Sequence, residues 1–173
     1  MNKKYLFSLL TVGVTLTIIY LIMEKLTIRT PTGSLTVRND DNGSGDFGAS
    51  RNAEGGGKRE HKGIDLLNEV IGENIVSPID GKITRVMQVY SNTSEFVGVE
   101  IIGRYGIRTP VMIKMFYVDV FPSLVGKDVK RGQIIGVQQD IAGHWGNGML
   151  NHVHLELYIN GVLKNPKYYL NLL

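Results

Sequence analysis

The sequence predicts an all-β domain, an antiparallel β-sandwich or partly open barrel, set behind an N-terminal transmembrane helix. Three observations lead there. From Ile75 onward, short β-rich runs alternate with glycine-bearing turns, and almost no stretch carries a helical period. The 173 residues contain 21 glycines at 43% hydrophobic content, which suits a compact, turn-rich β domain. Before all of this the chain opens on an apolar run over residues 5–23.

That run follows Asn2-Lys3-Lys4 and is 19 residues long, close to the roughly 20 needed to span a bilayer. A cleaved signal peptide is the competing reading, but its apolar region is usually about 7–15 residues and ends in small residues. Here the exit, Tyr20-Leu21-Ile22-Met23, is bulky throughout. The expectation is an uncleaved membrane anchor over residues 1–25. Lys3, Lys4 and the terminal amine hold the short end in the cytoplasm, although Lys25 and Arg29 weaken that bias. The C-terminal domain then lies on the extracytoplasmic side, in the cell envelope.

Residues 26–46 carry Pro31, Gly33-Ser34, Gly43-Ser44-Gly45 and the polar run Asn39-Asp40-Asp41-Asn42, which predicts a flexible linker. The folded domain is expected over residues 47–173. Gly55-Gly56-Gly57 is a second loose stretch. Strands are expected at 75–78, 82–90, 96–103, 108–120, 133–138 and 152–159. Residues 66–71 suit either a strand or a short helix. A helical turn is expected after Pro166. The absence of cysteine excludes disulfides, thiol ligands, thiol catalysis and lipidation behind the apolar run. A net charge of +3 fits contact with an anionic polymer or membrane surface. With no aromatic-basic interleaving, no nucleic-acid partner is expected.

Chemistry concentrates in two stretches. Residues 151–159 alternate strictly, with Val153, Leu155, Leu157 and Ile159 on one face and His152, His154 and Glu156 on the other. The two imidazoles lie about 6.6 Å apart along such a strand. The second stretch is His61-Lys62-Gly63-Ile64-Asp65. The chain has four histidines, and three fall in these two motifs. Catalytic zinc takes three ligands from His, Asp and Glu and leaves a position for water. His61, Asp65 and one histidine of the pair supply such a set. A straight strand would hold His61 and Asp65 about 13 Å apart, so a bend at Gly63 is expected. The competing readings are a solvated strand face and a surface ion pair.

The H-x-x-x-D and H-x-H motifs together resemble the lysostaphin/LytM-type zinc endopeptidases, which cut peptide cross-links in bacterial cell walls. Phe47-Gly48 with Arg51 is similar to the family's F-G-x-R lead-in. Val76-Ser77-Pro78-Ile79-Asp80-Gly81-Lys82-Ile83 resembles its V-x-A-P-x-D-G-x-V pair of strands. Residues 125–136 resemble its V-x-x-G-x-x-V-x-x-G-Q-x-I-G segment, and Asn160-Gly161 with Asn165-Pro166 its closing motif. The likeness covers about residues 46–170. It implies Zn2+ held by His61, Asp65 and His154, with His152 as acid/base and stabiliser of the transition state. It also implies peptidoglycan peptide bonds as substrate. Glu156 would then hold a ring N–H, or stand solvated.

One motif departs from the pattern. Active members of the family carry a further histidine in Y-x-H-L, whereas this chain reads Phe116-Tyr117-Val118-Asp119-Val120, with Asp119 expected at the histidine position. The same stretch resembles the vertebrate secreted relative leukocyte cell-derived chemotaxin 2, which keeps a zinc site without known peptidase function. The alternative to hydrolysis is therefore a zinc-bearing, catalytically impaired domain that binds cell wall or a protein partner. His144 is either a substitute imidazole or a solvated loop residue, and Trp145 either a substrate contact or a loop anchor. Biotinyl and lipoyl carrier modules share the glycine-punctuated pattern. They expose their lysine on a hairpin, however, and Lys114 lies inside an apolar strand.

Overall fold

A computed structural model describes residues 26–52, 56–91, 93–146 and 148–172. In chain order the strands are β1 (Ile28–Arg29), β2 (Asn39–Asp40), β3 (Gly43–Ser44), β4 (Ser50–Asn52), β5 (Lys58–Glu60), β6 (Ile64–Leu67), β7 (Asn74–Val76) and β8 (Gly81–Tyr90). They continue with β9 (Thr93–Tyr105), β10 (Thr109–Phe116), β11 (Val118–Val120), β12 (Asp128–Val129) and β13 (Ile134–Gln138). A short helix, α1 (Ile141–Trp145), precedes β14 (His152–Ile159), β15 (Val162–Lys164) and β16 (Leu170–Asn171).

The main sheet has seven strands in the order β12-β8-β9-β10-β14-β15, with β6 pairing the first half of β14. A three-stranded sheet, β11-β13-β7, covers it. Alternation builds the core between them. Val99, Ile101, Ile113, Met115, Val153, Leu155 and Leu157 from the large sheet meet Ile75, Val118, Val120 and Ile135 from the small one. Each such side chain stabilises the fold by about 1.5–3 kcal/mol through burial. The opposite face of β14 is left to His152, His154 and Glu156.

The expected strand 108–120 is broken. Tyr117 has φ 67°, a left-handed conformation unusual for a bulky residue. Its N–H donates to Val97 O and its C=O accepts from Gln139 N, so the corner is tied on both sides. Beyond it the chain leaves the large sheet and joins the small one. Residues 66–71 resolve as the end of strand β6 followed by a turn. Pro166 opens the expected helical turn, a 3-10 turn capped by the Asn165 side chain.

Residues 26–46 correct the linker expectation. This stretch is folded into the domain. β1 pairs in parallel with β16, Ile28 is fully buried, and Val37 bridges to Leu66. Its composition is too polar to announce a core segment, but its backbone groups are paired with β16 and β6. The anchor expected over residues 1–25 lies outside the described residues. Among the described residues no helix is long and apolar enough to cross a membrane.

Candidate metal centre

Strand register places the first two functional side chains together. In the antiparallel pairing of β6 with β14, Asp65 stands directly opposite His154, and such partners have Cβ atoms about 4.5–5.5 Å apart. His61 precedes β6, on the turn that leaves β5, and folds back over the pair. Gly63 makes this possible, though not through an unusual backbone angle, since it is not among the glycines with positive φ. A Cβ there would lie 2.5 Å from Leu155 O and 2.7 Å from His154 Nε2. The requirement is close approach to the His154 ring.

Three donor atoms converge. His61 Nε2 lies 2.8 Å from His154 Nδ1 and 3.1 Å from Asp65 Oδ1, and His154 Nδ1 lies 2.9 Å from Asp65 Oδ1. Corners of a tetrahedron built on zinc–ligand distances of about 2.0–2.1 Å would stand about 3.3 Å apart, so the triangle is close to that size. The chemistry of the set also fits. His61 Nδ1 donates to the Asp46 carbonyl at 2.8 Å, which can only accept, so the Nε2 lone pair faces inward. His154 turns its other nitrogen toward Glu156 Oε1, 3.6 Å away, the outer support a ligating imidazole usually has. Two imidazole nitrogens and a carboxylate oxygen can hold a metal ion.

His152 sits beside this set without joining it. Its Nδ1 donates to Leu150 O at 2.8 Å, and its Nε2 faces Asp65 Oδ1 at 3.9 Å. Burial pushes its pKa down to about 4 against the pull of Asp65, so the ring is neutral near pH 7 with a free lone pair on Nε2. Burial alone would raise the Asp65 pKa. The hydrogen bond from His154 Nδ1–H, with the charge of that ring, outweighs it and holds the carboxyl far below the usual range. Burial would lower His154, but its bonds to Asp65 and Glu156 raise it. Glu156 is buried and accepts a bond of 2.7 Å from the Tyr158 hydroxyl. That decides against its reading as a solvated carboxylate.

The site opens into a cleft of about 830 Å³ lined by all four histidines. Its lining includes the cations Arg51, Arg59 and Lys62 and the aromatic rings of Tyr90, Phe96, Phe116, Tyr117 and Trp145. His144 lies in the last turn of α1, 2.7 Å from Glu95 Oε1, its ring edge-on to Phe96. Trp145 is half-exposed and packs edge-on against Tyr90, a rim residue and not a core anchor.

Asp119 does not stand at the site. Its side chain is exposed between buried Val118 and Val120, opposite Val137 of β13, and does not line the cleft. The left-handed corner shifts the register, and Tyr117 is the residue that faces inward. Its ring lies edge-on to His152, with centroids 5.2 Å apart, and its hydroxyl shares a bond of 2.9 Å with that of Tyr90. Burial raises its pKa, so the phenol is neutral. Sequence reasoning also missed Arg38 and Asp40, which lie behind Asp65 in the stretch expected to be a linker.

No protein-family model and no curated protein matches the sequence. Among solved structures the fold recurs. Helicobacter pylori Csd3 superposes with a TM-score of 0.57 at 23% identity, over 84% of this chain and 35% of Csd3. The catalytic domain of the antimicrobial peptidase lysostaphin from Staphylococcus simulans gives 0.52 at 22% identity, over 72% of this chain and 87% of that domain. A zinc-containing peptidase from Vibrio cholerae gives 0.52 at 21% identity, over 83% and 40%. Two of these neighbours are peptidases, one of them lysostaphin itself, and the expected resemblance holds at the level of fold. The chain spans about a third of the length of Csd3.

Proposed function

We propose that the chain is a zinc-dependent peptidase-like domain that hydrolyses peptide bonds in peptidoglycan, held at the outer face of the membrane by residues 5–23. The observation that carries this reading is the convergence of His61 Nε2, Asp65 Oδ1 and His154 Nδ1 at the floor of a cleft, with His152 beside them. Those three residues would hold the metal. Bound zinc supplies a Lewis acid and a water whose pKa falls to about 7. His152 Nε2, neutral and facing the donor set, takes the proton of the attacking water and returns it to the leaving amine. The aromatic side chains lining the cleft exclude bulk water and orient the peptide chain. Solved peptidases of the same fold, one of them zinc-containing, support the assignment.

The second reading is a zinc-bearing domain that binds cell wall or a protein partner without cutting. It is favoured by one observation. Among the described residues, His152 is the imidazole beside the donor set, His144 is engaged by Glu95, and a phenol occupies the inward corner. Digestion of purified peptidoglycan, with and without a chelator, separates the two. Chelator-sensitive release of peptides supports hydrolysis. Sedimentation of the protein with the polymer, with no release, supports the binding domain.

A further inference from the structure

The two oxygens of Asp65 have different surroundings. Oδ1 faces His61 and His154. Oδ2 faces away from them and accepts from Arg38 Nε at 3.3 Å, Arg38 Nη2 at 3.0 Å and Arg51 Nη2 at 3.3 Å. Arg38 is buried, and its remaining nitrogen, Nη1, donates to Asp40 Oδ1. Asp40 Oδ2 accepts the Leu150 N–H at 2.9 Å, and Leu150 O in turn accepts from His152 Nδ1 at 2.8 Å. The links run without a gap from Asp65 through Arg38, Asp40 and Leu150 to His152.

The backbone repeats the arrangement. Arg38 N–H donates to Asp65 O at 2.9 Å, Asp65 N–H to Gly45 O at 2.9 Å, and Gly45 N–H to Arg38 O at 2.7 Å. Both arms of the β2–β3 hairpin therefore grip Asp65. A Cβ on Gly45 would come within 2.7 Å of Asp65 Cβ, so the hairpin lies directly against it. Without that hairpin, Asp65 Oδ2 would keep only the Arg51 contact, and the Leu150 N–H would lose its Asp40 acceptor.

We propose that Arg38 and Asp40 are positioning residues of the metal centre: Arg38 reserves Oδ2 so that Asp65 presents one oxygen, and Asp40, through Leu150, holds His152 with its proton on Nδ1 and Nε2 facing the site. This rests on the metal-binding reading above, but its tautomer half does not depend on it. A buried guanidinium fork suits the task because it is planar and addresses two carboxylates at once. Outer partners of this kind typically set metal affinity by about 10–100-fold.

The test uses the full chain purified in mild detergent, with Asp40→Asn and Arg38→Lys. The amide of Asp40→Asn keeps one acceptor where the carboxylate has two: its oxygen serves Arg38 and the Asn42 N–H, so its NH2 meets the Leu150 N–H and that link breaks. Arg38→Lys keeps the charge but cannot span both carboxylates. Circular dichroism confirms folding, and Asp40→Asn carries the test if Arg38→Lys fails to fold. Two quantities are read: zinc affinity by chelator competition, and the His152 tautomer from ring 15N shifts in the metal-free protein. The expected result is zinc affinity lower by at least 10-fold in the variants. Asp40→Asn should also shift His152 away from the Nδ1–H form. Affinity within twofold of wild type and an unchanged tautomer would overturn the proposal. If wild type binds no zinc, the metal-binding reading fails, and the tautomer still decides for or against the positioning role of Asp40.

Discussion

At the scale of single residues, the site is set by where protons and oxygens sit. His152 is buried with a pKa near 4, against about 6.5 in an unfolded chain. Its folded-state pKa is lowered, so its contribution to stability is full above pH 6.5. That contribution is lost as the pH falls toward 4, because the unfolded chain takes up a proton that the folded one refuses. Urea melts of the metal-free protein should show His152→Gln losing about 2–3 kcal/mol less than wild type between pH 7 and pH 4.5. Equal losses would mean that the ring is solvated. A second residue-scale expectation follows from Asp119 facing outward: Asp119→His should leave peptide release unchanged within about twofold, because an exposed side chain on β11 touches none of the cleft. Most of the donor set was legible in the sequence because its motifs are local and histidine is scarce. The outward turn of Asp119 was not, because that expectation rested on the motif resemblance, and one left-handed residue, Tyr117, carries the chain out of the large sheet just before it.

At the scale of elements, the strands with strict alternation appear where expected. The 152–159 prediction coincides with β14, and 133–138 differs from β13 by one residue. Shorter elements escaped, the β4–β5 hairpin, β12 and β15 among them, and two further cases have a clear physical cause. Helix α1 is five residues long and too short to show a period, although Asp140, which caps it by accepting from Gly143 N–H, stands at its start. The segment read as a linker escaped because its contribution is made by backbone pairing and buried ions, which composition does not register. Its packing has a measurable consequence. Ile28 is fully buried in the core, so Ile28→Ala should destabilise the protein by about 2–5 kcal/mol, the usual cost of a buried isoleucine truncation. A shift in the denaturation midpoint near zero would return residues 26–46 to the status of a tether.

At the scale of the whole molecule, two sheets enclose one core and leave a cleft on the polar face of β14. The charged stretch before β4 closes it from behind. The expected anchor makes a prediction of its own. The full chain should sediment with membranes at unprocessed mass, and external protease should reach the domain in spheroplasts. A mature form starting near Leu26 would remove the anchor, and protection from protease would reverse the orientation. His61, Asp65 and His154 are proposed to hold one zinc, with His152 outside the ligand set. Elemental analysis of the purified wild type and four alanine variants tests it directly. One zinc per chain is expected in wild type and in His152→Ala, with sharply lower occupancy in His61→Ala, Asp65→Ala and His154→Ala. Equal zinc in all five proteins would mean that the metal is held elsewhere.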